Sequence, residues 1–326
     1  MQIMNILLSL FVWLVLVALP TLSALAQTMA LDYTARQPVK AGSWYPGESE
    51  ALRERIRQLA RESVDTQLDP QYGKVRALIV PHAGYDYSGS TAAAGFKLVK
   101  GEKYQRVVVI GAAHYEDVPG LSVLDVDAYQ TPLGKIELDQ AAIEQMHRSP
   151  LVMSHRYAHD REHSIEMQLP FLQAMLQPGW KLVPILIGDL TRLQFQQAGR
   201  LIAKLLDEDT LLVISGDFIH YGPGYDFVPF PHDEKTAQRI AHLDKGIVEH
   251  IRNIDPAGLA RYRDEMDLND CVYPSAMVLL NLLPDDIKVT IIRYQTSGAV
   301  TGNYRNSVSY LAIAFQAKVP IKHDID

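Results

Sequence analysis

The amino-acid sequence predicts an α/β fold: a single three-layer domain with a mostly parallel central sheet flanked by helices. Short runs of β-branched residues alternate with helical patterns, no internal repeat or low-complexity stretch interrupts them, and no Pro/Gly-rich linker divides the chain. The 326 residues are 48% hydrophobic and 21% charged. This composition excludes a disordered or collagen-like chain.

The first segment is predicted to lie outside this domain. Residues 6–19 are apolar apart from one serine, and an Ala-Leu-Ala cleavage motif ends at Ala26. We expect residues 1–26 to be a signal peptide and residues 27–326 to form one exported domain, periplasmic or extracellular. Because the first five residues carry no Lys or Arg, a retained N-terminal membrane anchor through residues 6–19 stays open as the alternative.

The remaining chain alternates predicted strands and helices. Residues 48–61 have apolar side chains at helical spacing. Strands are predicted at residues 76–80, 106–110, 182–187, 211–214, 289–295 and 307–316. Further helices are predicted at residues 90–100, 140–147, 162–177, 193–206, 236–253, 256–264 and 272–283. The first four strands are continuously apolar, as buried parallel strands are, whereas the last alternates like an antiparallel strand.

Charge and cysteine content argue against nucleic-acid binding and exclude two kinds of cysteine-based structure. Lys and Arg number 31 against 38 Asp and Glu, and no basic block occurs, so we expect no nucleic-acid partner. Cys271 is the one cysteine, which excludes an intramolecular disulfide and a CxxC zinc motif.

Polar residues collect where three predicted strands end. His82 follows the first strand, His114 the second, and Asp217 and His220 the fourth. Ligands of open α/β sheets bind at the carboxyl ends of strands, so these side chains are expected to share one crevice. Imidazoles with an anionic ligand bind Fe, Cu or Zn and leave a position open. The repeated arrangement favours a metal site over unrelated structural histidines.

Two other places supply candidate ligands. His163 and Glu166 lie at i, i+3 within residues 162–166, although a surface helix start with acidic residues near its positive end is the alternative. Cys271 precedes a predicted helix, where a thiolate is stabilised, although a buried structural cysteine is the alternative. The remaining histidines are expected at the surface: His147, His155, His159, His232, His242, His250 and His323.

Five ordered motifs resemble the Memo family, whose bacterial members are known as AmmeMemoRadiSam system protein B. They are RxPxxAGSWYP (residues 36–46), PHAGYxYSG (81–89), EHSIE (162–166), SxDFxHYG (215–222) and NSVSY (306–310). The resemblance spans residues 36–315. It implies a fold similar to that of class III extradiol dioxygenases, which hold non-haem Fe(II) with two histidines and a glutamate.

The resemblance also implies roles for individual residues. The metal ligands fall on His82, His114 and Cys271, and Asp217 and His220 fall beside them, with His220 at the position of the dioxygenase acid/base. A thiolate replaces the carboxylate of the iron triad, which leaves Cu and Zn possible beside Fe(II). Radical SAM and AMMECR-type proteins are the implied partners.

The leading hypothesis is therefore a Memo-type, redox-capable metal-binding protein with Fe(II) and an unknown small substrate. A non-catalytic peptide-binding or metal-carrier protein using the same cleft is the alternative, and a zinc hydrolase ranks third. Asp217 and His220 favour an enzyme, because catalysis needs a group that moves protons. We expect the Asp217 carboxylate to orient the His220 imidazole beside the metal, without His220 being a ligand.

Overall fold

A nine-stranded sheet forms the centre of the protein in a computed structural model, which describes residues 34–284 and 286–317. The predicted signal segment lies outside these residues. The strands are β1 (Ala35–Arg36), β2 (Val75–Val80), β3 (Arg106–Ala112), β4 (Leu121–Ser122), β5 (Ala128–Thr131), β6 (Gly134–Glu137), β7 (Val152–Met153), β8 (Lys181–Ile187), β9 (Thr210–Ser215), β10 (His220–Tyr221), β11 (Ile287–Thr296) and β12 (Ser307–Ala317).

Ten α-helices accompany the strands in the described part of the chain. They are α1 (Ser49–Glu62), α2 (Tyr85–Lys97), α3 (Gln140–His147), α4 (Arg156–Arg161), α5 (Leu169–Met175), α6 (Arg192–Ala203), α7 (Thr236–Arg252), α8 (Pro256–Met266), α9 (Tyr273–Leu282) and α10 (Ser297–Thr301). None of the helices in residues 34–284 and 286–317 is long and apolar enough to cross a membrane.

The central sheet has a parallel core closed by antiparallel strands. Its order is β10–β12–β2–β9–β3–β8–β4–β7, and β11 also pairs with β12. Strands β2, β9, β3 and β8 are parallel, whereas β12 runs antiparallel to β2 and β11. Every residue of β2, β9 and β12 is buried, as expected for strands covered on both faces. The predicted α/β architecture is confirmed.

The strand connections place helices on both faces of the sheet. The crossovers β2–α2–β3 and β3–α5–β8 step in one direction, whereas β8–α6–β9 steps back. Right-handed crossovers therefore put α2 and α5 on one face and α6 on the other. The contacts agree, since α2 packs on α5, and α6 packs on α9. All four parallel strands direct their carboxyl ends to the same edge.

The helix predicted over residues 162–177 is wrong in its first half. Glu162 ends α4, a single 3-10 turn covers Glu166–Gln168, and α5 starts only at Leu169 with Pro170 in its first turn. The buried side chains of Glu162 and Glu166 in this stretch accept hydrogen bonds from other segments of the chain. The sequence pattern also missed the small sheet β1–β5–β6, whose strands have at most four residues.

Candidate metal centre

His82 lies just beyond the carboxyl end of β2 and is 2% exposed. Its Nδ1 is 3.1 Å from the hydroxyl of Ser215, which donates its only proton to the carbonyl of Ser164, 2.5 Å away. The hydroxyl must therefore accept from Nδ1 of His82. Burial lowers the pKa of His82 well below its usual value, so the ring is neutral. Its Nε2 consequently keeps a lone pair for a ligand.

His114 follows β3 and is fixed by the buried carboxylate of Glu162. That carboxylate accepts the backbone N–H of His114 at 2.7 Å and its ring Nδ1 at 2.9 Å. Burial by itself would raise the pKa of Glu162, but hydrogen bonds from His114 and Ser164 outweigh it and hold the pKa at about 2. With Nδ1 donating to Glu162, Nε2 of His114 is also left for a ligand.

Cys271 approaches these histidines from the turn before α9. Its Sγ lies 3.2 Å from Nε2 of His82 and accepts the backbone N–H of Asp217 at 3.1 Å. The close approach depends on Gly216, because a Cβ there would lie 2.5 Å from Cα of Val272. Burial is the largest cause, and the negative charge of Asp217 the second, of a thiol pKa well above its usual value. The thiolate form therefore requires a cation beside it.

The structure brings together the three residues predicted as ligands. One ligand atom from each of His82, His114 and Cys271 lies within 4.8 Å of the others. Metal–nitrogen and metal–sulfur bonds of about 2.1 and 2.3 Å can span such separations. Two oriented imidazoles and one thiol are a donor set that iron, copper and zinc all accept.

Asp217 and His220 lie at the same strand end, but the expected contact between their side chains is not found. The Asp217 carboxylate instead accepts the backbone N–H of His82 at 2.9 Å. Nδ1 of His220 faces the carbonyl of Asn269 at 3.3 Å, and the Asn269 side chain bonds both backbone groups of His220. The expectation that Asp217 orients His220 is wrong, because the carboxylate is directed at the β2 turn and Asn269 takes that role.

Burial changes the protonation of both side chains. It raises the pKa of Asp217 to about 7 and lowers the pKa of His220 to about 4. His220 is thus neutral near neutral pH, with Nε2 unprotonated if Nδ1 donates to Asn269. Among the described residues, two groups have ligand atoms within 4.8 Å of one another: His82, His114 and Cys271, and His114, Glu162 and His163. His220 belongs to neither group. Its place beside the metal, rather than on it, stays a prediction.

His163 is a third imidazole at this site. Its ring centroid lies 4.6 Å from that of His114 and 5.1 Å from that of His82. Burial lowers its pKa to about 3. The surface-helix alternative for residues 162–166 is wrong, since Glu162, His163 and Glu166 are all buried. The sequence pattern identified residues 162–166 as a source of candidate ligands but did not predict that Glu162 orients His114. The acidic residue next to a histidine in this motif was the feature that could have suggested it.

Glu166 anchors the N-terminal part of the domain and lies in neither group of candidate ligands found among the described residues. It forms a buried ion pair with Arg36 and accepts the backbone N–H of Lys40 at 2.8 Å and the hydroxyl of Tyr45 at 2.7 Å. These bonds fix the segment that carries Trp44, whose ring packs against His163 at 4.7 Å. The role of Glu166 is structural.

Replacing Glu166 with glutamine is expected to destabilise the protein by roughly 3–5 kcal/mol, because it leaves the Arg36 guanidinium buried without a counter-charge. Chemical denaturation measures the change. Glu144→Gln is the matched control, since Glu144 pairs with Arg148 at an exposed surface and its loss should leave the midpoint within error. Equal midpoints for the two variants would contradict the structural role of Glu166.

His159 is not at the surface as predicted, being 1% exposed. Its Nδ1 lies 2.7 Å from the hydroxyl of Tyr129 on β5, and its Nε2 lies 3.1 Å from the hydroxyl of Ser122 on β4. The ring therefore links the small sheet to the central one. Burial lowers its pKa to about 3.

An open cleft of about 620 Å³ leads to the three imidazoles and to Asp217 and His220. Trp44, Tyr87 and Tyr225 form aromatic parts of its wall, and the ring of Tyr225 lies 5.3 Å from that of His220. The volume lies in the range of small-molecule sites, which are concave with a few convergent polar groups.

A family model described as Memo-like protein matches residues 36–314. The chain belongs to the Memo family. The match includes His82, His114, Asp217, His220 and Cys271, so every predicted site residue of this Memo-family chain lies inside the shared region. The predicted resemblance is confirmed.

Relatives of this Memo chain occur in bacteria and animals. It is 30% identical over 283 residues to a MEMO1 family protein of Aquifex aeolicus, covering 86% of this chain and 98% of the relative. It is 29% identical over 297 residues to human Protein MEMO1, covering 87% and 98%. A solved structure of the uncharacterized protein JW3007 from Escherichia coli K12 aligns at 18% identity and a TM-score of 0.43, over 74% of this chain and 99% of that one.

Proposed function

We propose that this Memo-family chain is a metal-dependent oxidoreductase that holds one Fe(II) ion with His82, His114 and Cys271 and acts on a small substrate. One observation carries the proposal. Buried acceptors, Ser215 and Glu162, engage Nδ1 of His82 and of His114, which leaves both Nε2 atoms available. One ligand atom of each ring also lies within 4.8 Å of the sulfur of the chain's only cysteine. Such outer hydrogen bonds are typical of metal-binding histidines.

The donor set limits the metal to iron, copper or zinc, and the proposed redox chemistry favours iron among them. Two imidazoles and a thiolate suit copper and zinc as well as iron, because sulfur is a softer ligand than a carboxylate oxygen. Iron, when bound, would supply the one-electron and oxygen chemistry that side chains lack. The neutral state of His82 and the engaged Nδ1 atoms prepare the site for any of the three metals.

His220 is the residue proposed to move a proton. Its Nδ1 faces the Asn269 carbonyl, so its Nε2 can accept a proton from a substrate hydroxyl in the cleft. The Asn269 side chain holds the His220 backbone from both sides, which restricts where the ring can lie. Asp217 supports the site differently, by holding the backbone of His82.

A non-catalytic role in peptide binding or metal transport is the second candidate. The observation that favours it is the exposed aromatic rim of the cleft, where Tyr87 and Tyr225 are 46% and 42% exposed. The resemblance implies radical SAM and AMMECR-type partners, and co-purification from the native host tests that part of the proposal.

Elemental analysis of protein purified anaerobically from its native host tests the proposed function. We expect about one iron per chain and oxygen uptake when a substrate occupies the cleft. Zinc or copper alone would overturn the assignment of iron. Stoichiometric iron that passes to a chelator without any oxygen uptake across a substrate panel would support the carrier instead.

Replacing Glu162 with glutamine is expected to weaken metal binding roughly 10–100-fold, the usual effect of losing an outer partner of a ligand histidine. The amide keeps the size of the carboxylate but loses its charge and one set of acceptor sites for His114 and Ser164. Competition with a chromophoric chelator measures the affinity, with Glu144→Gln as the exposed control. Unchanged affinity would show that Glu162 does not support a metal ligand.

We also propose that the protein is exported and cleaved before Gln27. The intact mass of material from the native host is expected to lack residues 1–26, and the protein should fractionate with soluble extracytoplasmic proteins. A mass that retains residues 1–26, recovered with membranes, would indicate an anchor through residues 6–19.

A further inference from the structure

His163 has no role in either the proposed metal set or the proton transfer by His220. Its ring nevertheless lines the cleft beside His114, and its side chain is 9% exposed. A buried polar ring costs free energy unless a hydrogen bond compensates for its lost hydration. Among the described residues none hydrogen-bonds to the ring of His163, so a polar partner for it would have to come from the cleft.

Glu162 determines which nitrogen of His163 carries the proton. Four N–H groups already occupy the Glu162 oxygens: the backbone and ring of His114 and the backbones of His163 and Ser164. Three of these four donors share Oε1, and because a carboxylate oxygen has about two lone-pair sites, Oε1 has none left for Nδ1 of His163. Nδ1 of His163 accordingly lies 3.2 Å from Oε1 without forming a hydrogen bond. An unprotonated Nδ1 would direct its lone pair at the carboxylate, so the proton belongs on Nδ1.

This leaves Nε2 of His163 as an acceptor facing the cleft. No described residue hydrogen-bonds to Nε2, and Nε2 is not among the fully buried unpaired atoms, whereas Nδ1 is. Trp44 packs against the ring at 4.7 Å and His114 stacks on it at an interplanar angle of 25°. These two neighbours restrict the ring, so its acceptor is held in a fixed direction.

The same argument excludes a second metal at this place. Ligand atoms of His114, Glu162 and His163 also lie within 4.8 Å of one another. A cation there would have to compete with the four N–H groups that the Glu162 carboxylate already accepts, three of them on Oε1. The cluster orients imidazoles instead of holding an ion.

We propose that His163 is a ligand-recognition residue, whose Nε2 accepts a hydrogen bond from an O–H or N–H group of the molecule in the cleft. The proposal rests on the proposed function, because it places that molecule next to the metal at His114. The ligand class is a small molecule that offers the metal an oxygen or nitrogen atom and keeps a second, protonated polar group. His220 takes the transferred proton, and His163 holds a proton that stays on the ligand.

The tautomer of His163 tests the geometry without any metal. Long-range proton–nitrogen correlation spectra of protein labelled with ¹⁵N-histidine distinguish a protonated Nδ1 from a protonated Nε2, and His163→Gln identifies the signal. We expect His163 to carry its proton on Nδ1. A protonated Nε2, or a doubly protonated ring at neutral pH, would overturn the proposal, whether or not the protein binds iron.

Two probes of the cobalt-loaded protein test recognition itself. Acetohydroxamate offers oxygen atoms to a metal and carries an N–H group, whereas azide carries no proton. In His163→Leu we expect acetohydroxamate to bind roughly tenfold more weakly, the equivalent of one net hydrogen bond, with azide affinity and cobalt content unchanged. His163→Gln should recover part of the affinity through its amide oxygen.

Equal loss for both probes, or no loss for either, would overturn the role of His163. Failure of the wild-type protein to take up cobalt would count against the proposed function and, with it, against a ligand beside the metal. The tautomer measurement separates that failure from an error in the His163 geometry.

Discussion

Replacing His82 with alanine is expected to abolish metal binding and every metal-dependent activity together. His82 is the most buried of the three proposed ligands, and Nε2 of its ring lies 3.2 Å from the Cys271 sulfur. The loss in affinity should exceed the roughly 100-fold upper range for outer partners of a ligand, because a donor atom itself is removed. Metal content after dialysis against a weak chelator measures the effect.

Controls separate ligand loss from unfolding. His242→Ala removes an exposed imidazole from α7 and should leave the metal content unchanged. His82→Gln keeps most of the side-chain volume and should match His82→Ala in metal loss while retaining a wild-type denaturation midpoint. Full metal content in a folded His82 variant would contradict the assignment of His82, His114 and Cys271 as the metal ligands.

Replacing His220 with alanine should leave the metal in place and reduce turnover of a true substrate by about 10²–10⁴-fold, the usual contribution of a general acid/base. The structure supports this separation, since Asn269 holds His220 while Ser215 and Glu162 hold the metal-site histidines. Parallel measurements of metal content and single-turnover rate provide the test.

Asn269→Ala offers a second measurement of the same idea. It leaves the imidazole present but removes the side chain that bonds both backbone groups of His220. We expect a smaller loss of turnover than in His220→Ala, and again full metal content. If His220→Ala loses metal as completely as His82→Ala, His220 is a ligand, and a closed structural or storage site replaces the proposed enzyme.

The sequence was sufficient to locate a site residue wherever a polar side chain directly follows a predicted buried strand. His82, His114 and Asp217 each follow a continuously apolar strand, and parallel strands direct their carboxyl ends to one edge, so convergence could be predicted from order alone. The roles of Cys271 as a ligand and of His220 as an acid/base were implied by the family resemblance. His220 follows the same strand as Asp217, but strand order does not assign a proton-transfer role, and Cys271 follows no predicted strand.

The sequence was misleading where a polar residue's partner lies far along the chain. An exposed helix start was one of two interpretations left open for residues 162–166. The structure shows instead that Glu162 bonds His114, 48 residues away, and Glu166 bonds Lys40, 126 residues away. His159 suggested a surface residue for the same reason. Hydrophobic periodicity indicates which side of a helix or strand is apolar, but it does not indicate which distant residue will hydrogen-bond to a polar side chain.

The sequence by itself determined the α/β class, the parallel core and the edge of the sheet at which the polar residues gather, because hydrophobic pattern and strand direction are local properties. Only the tertiary structure decided how those residues are used. It assigned Glu162 to His114, Ser215 to His82 and Asn269 to His220, and it separated Asp217 from the imidazole it was expected to hold. These pairings depend on distances of about 3 Å between segments far apart in the chain, and such distances are fixed only when the whole core packs.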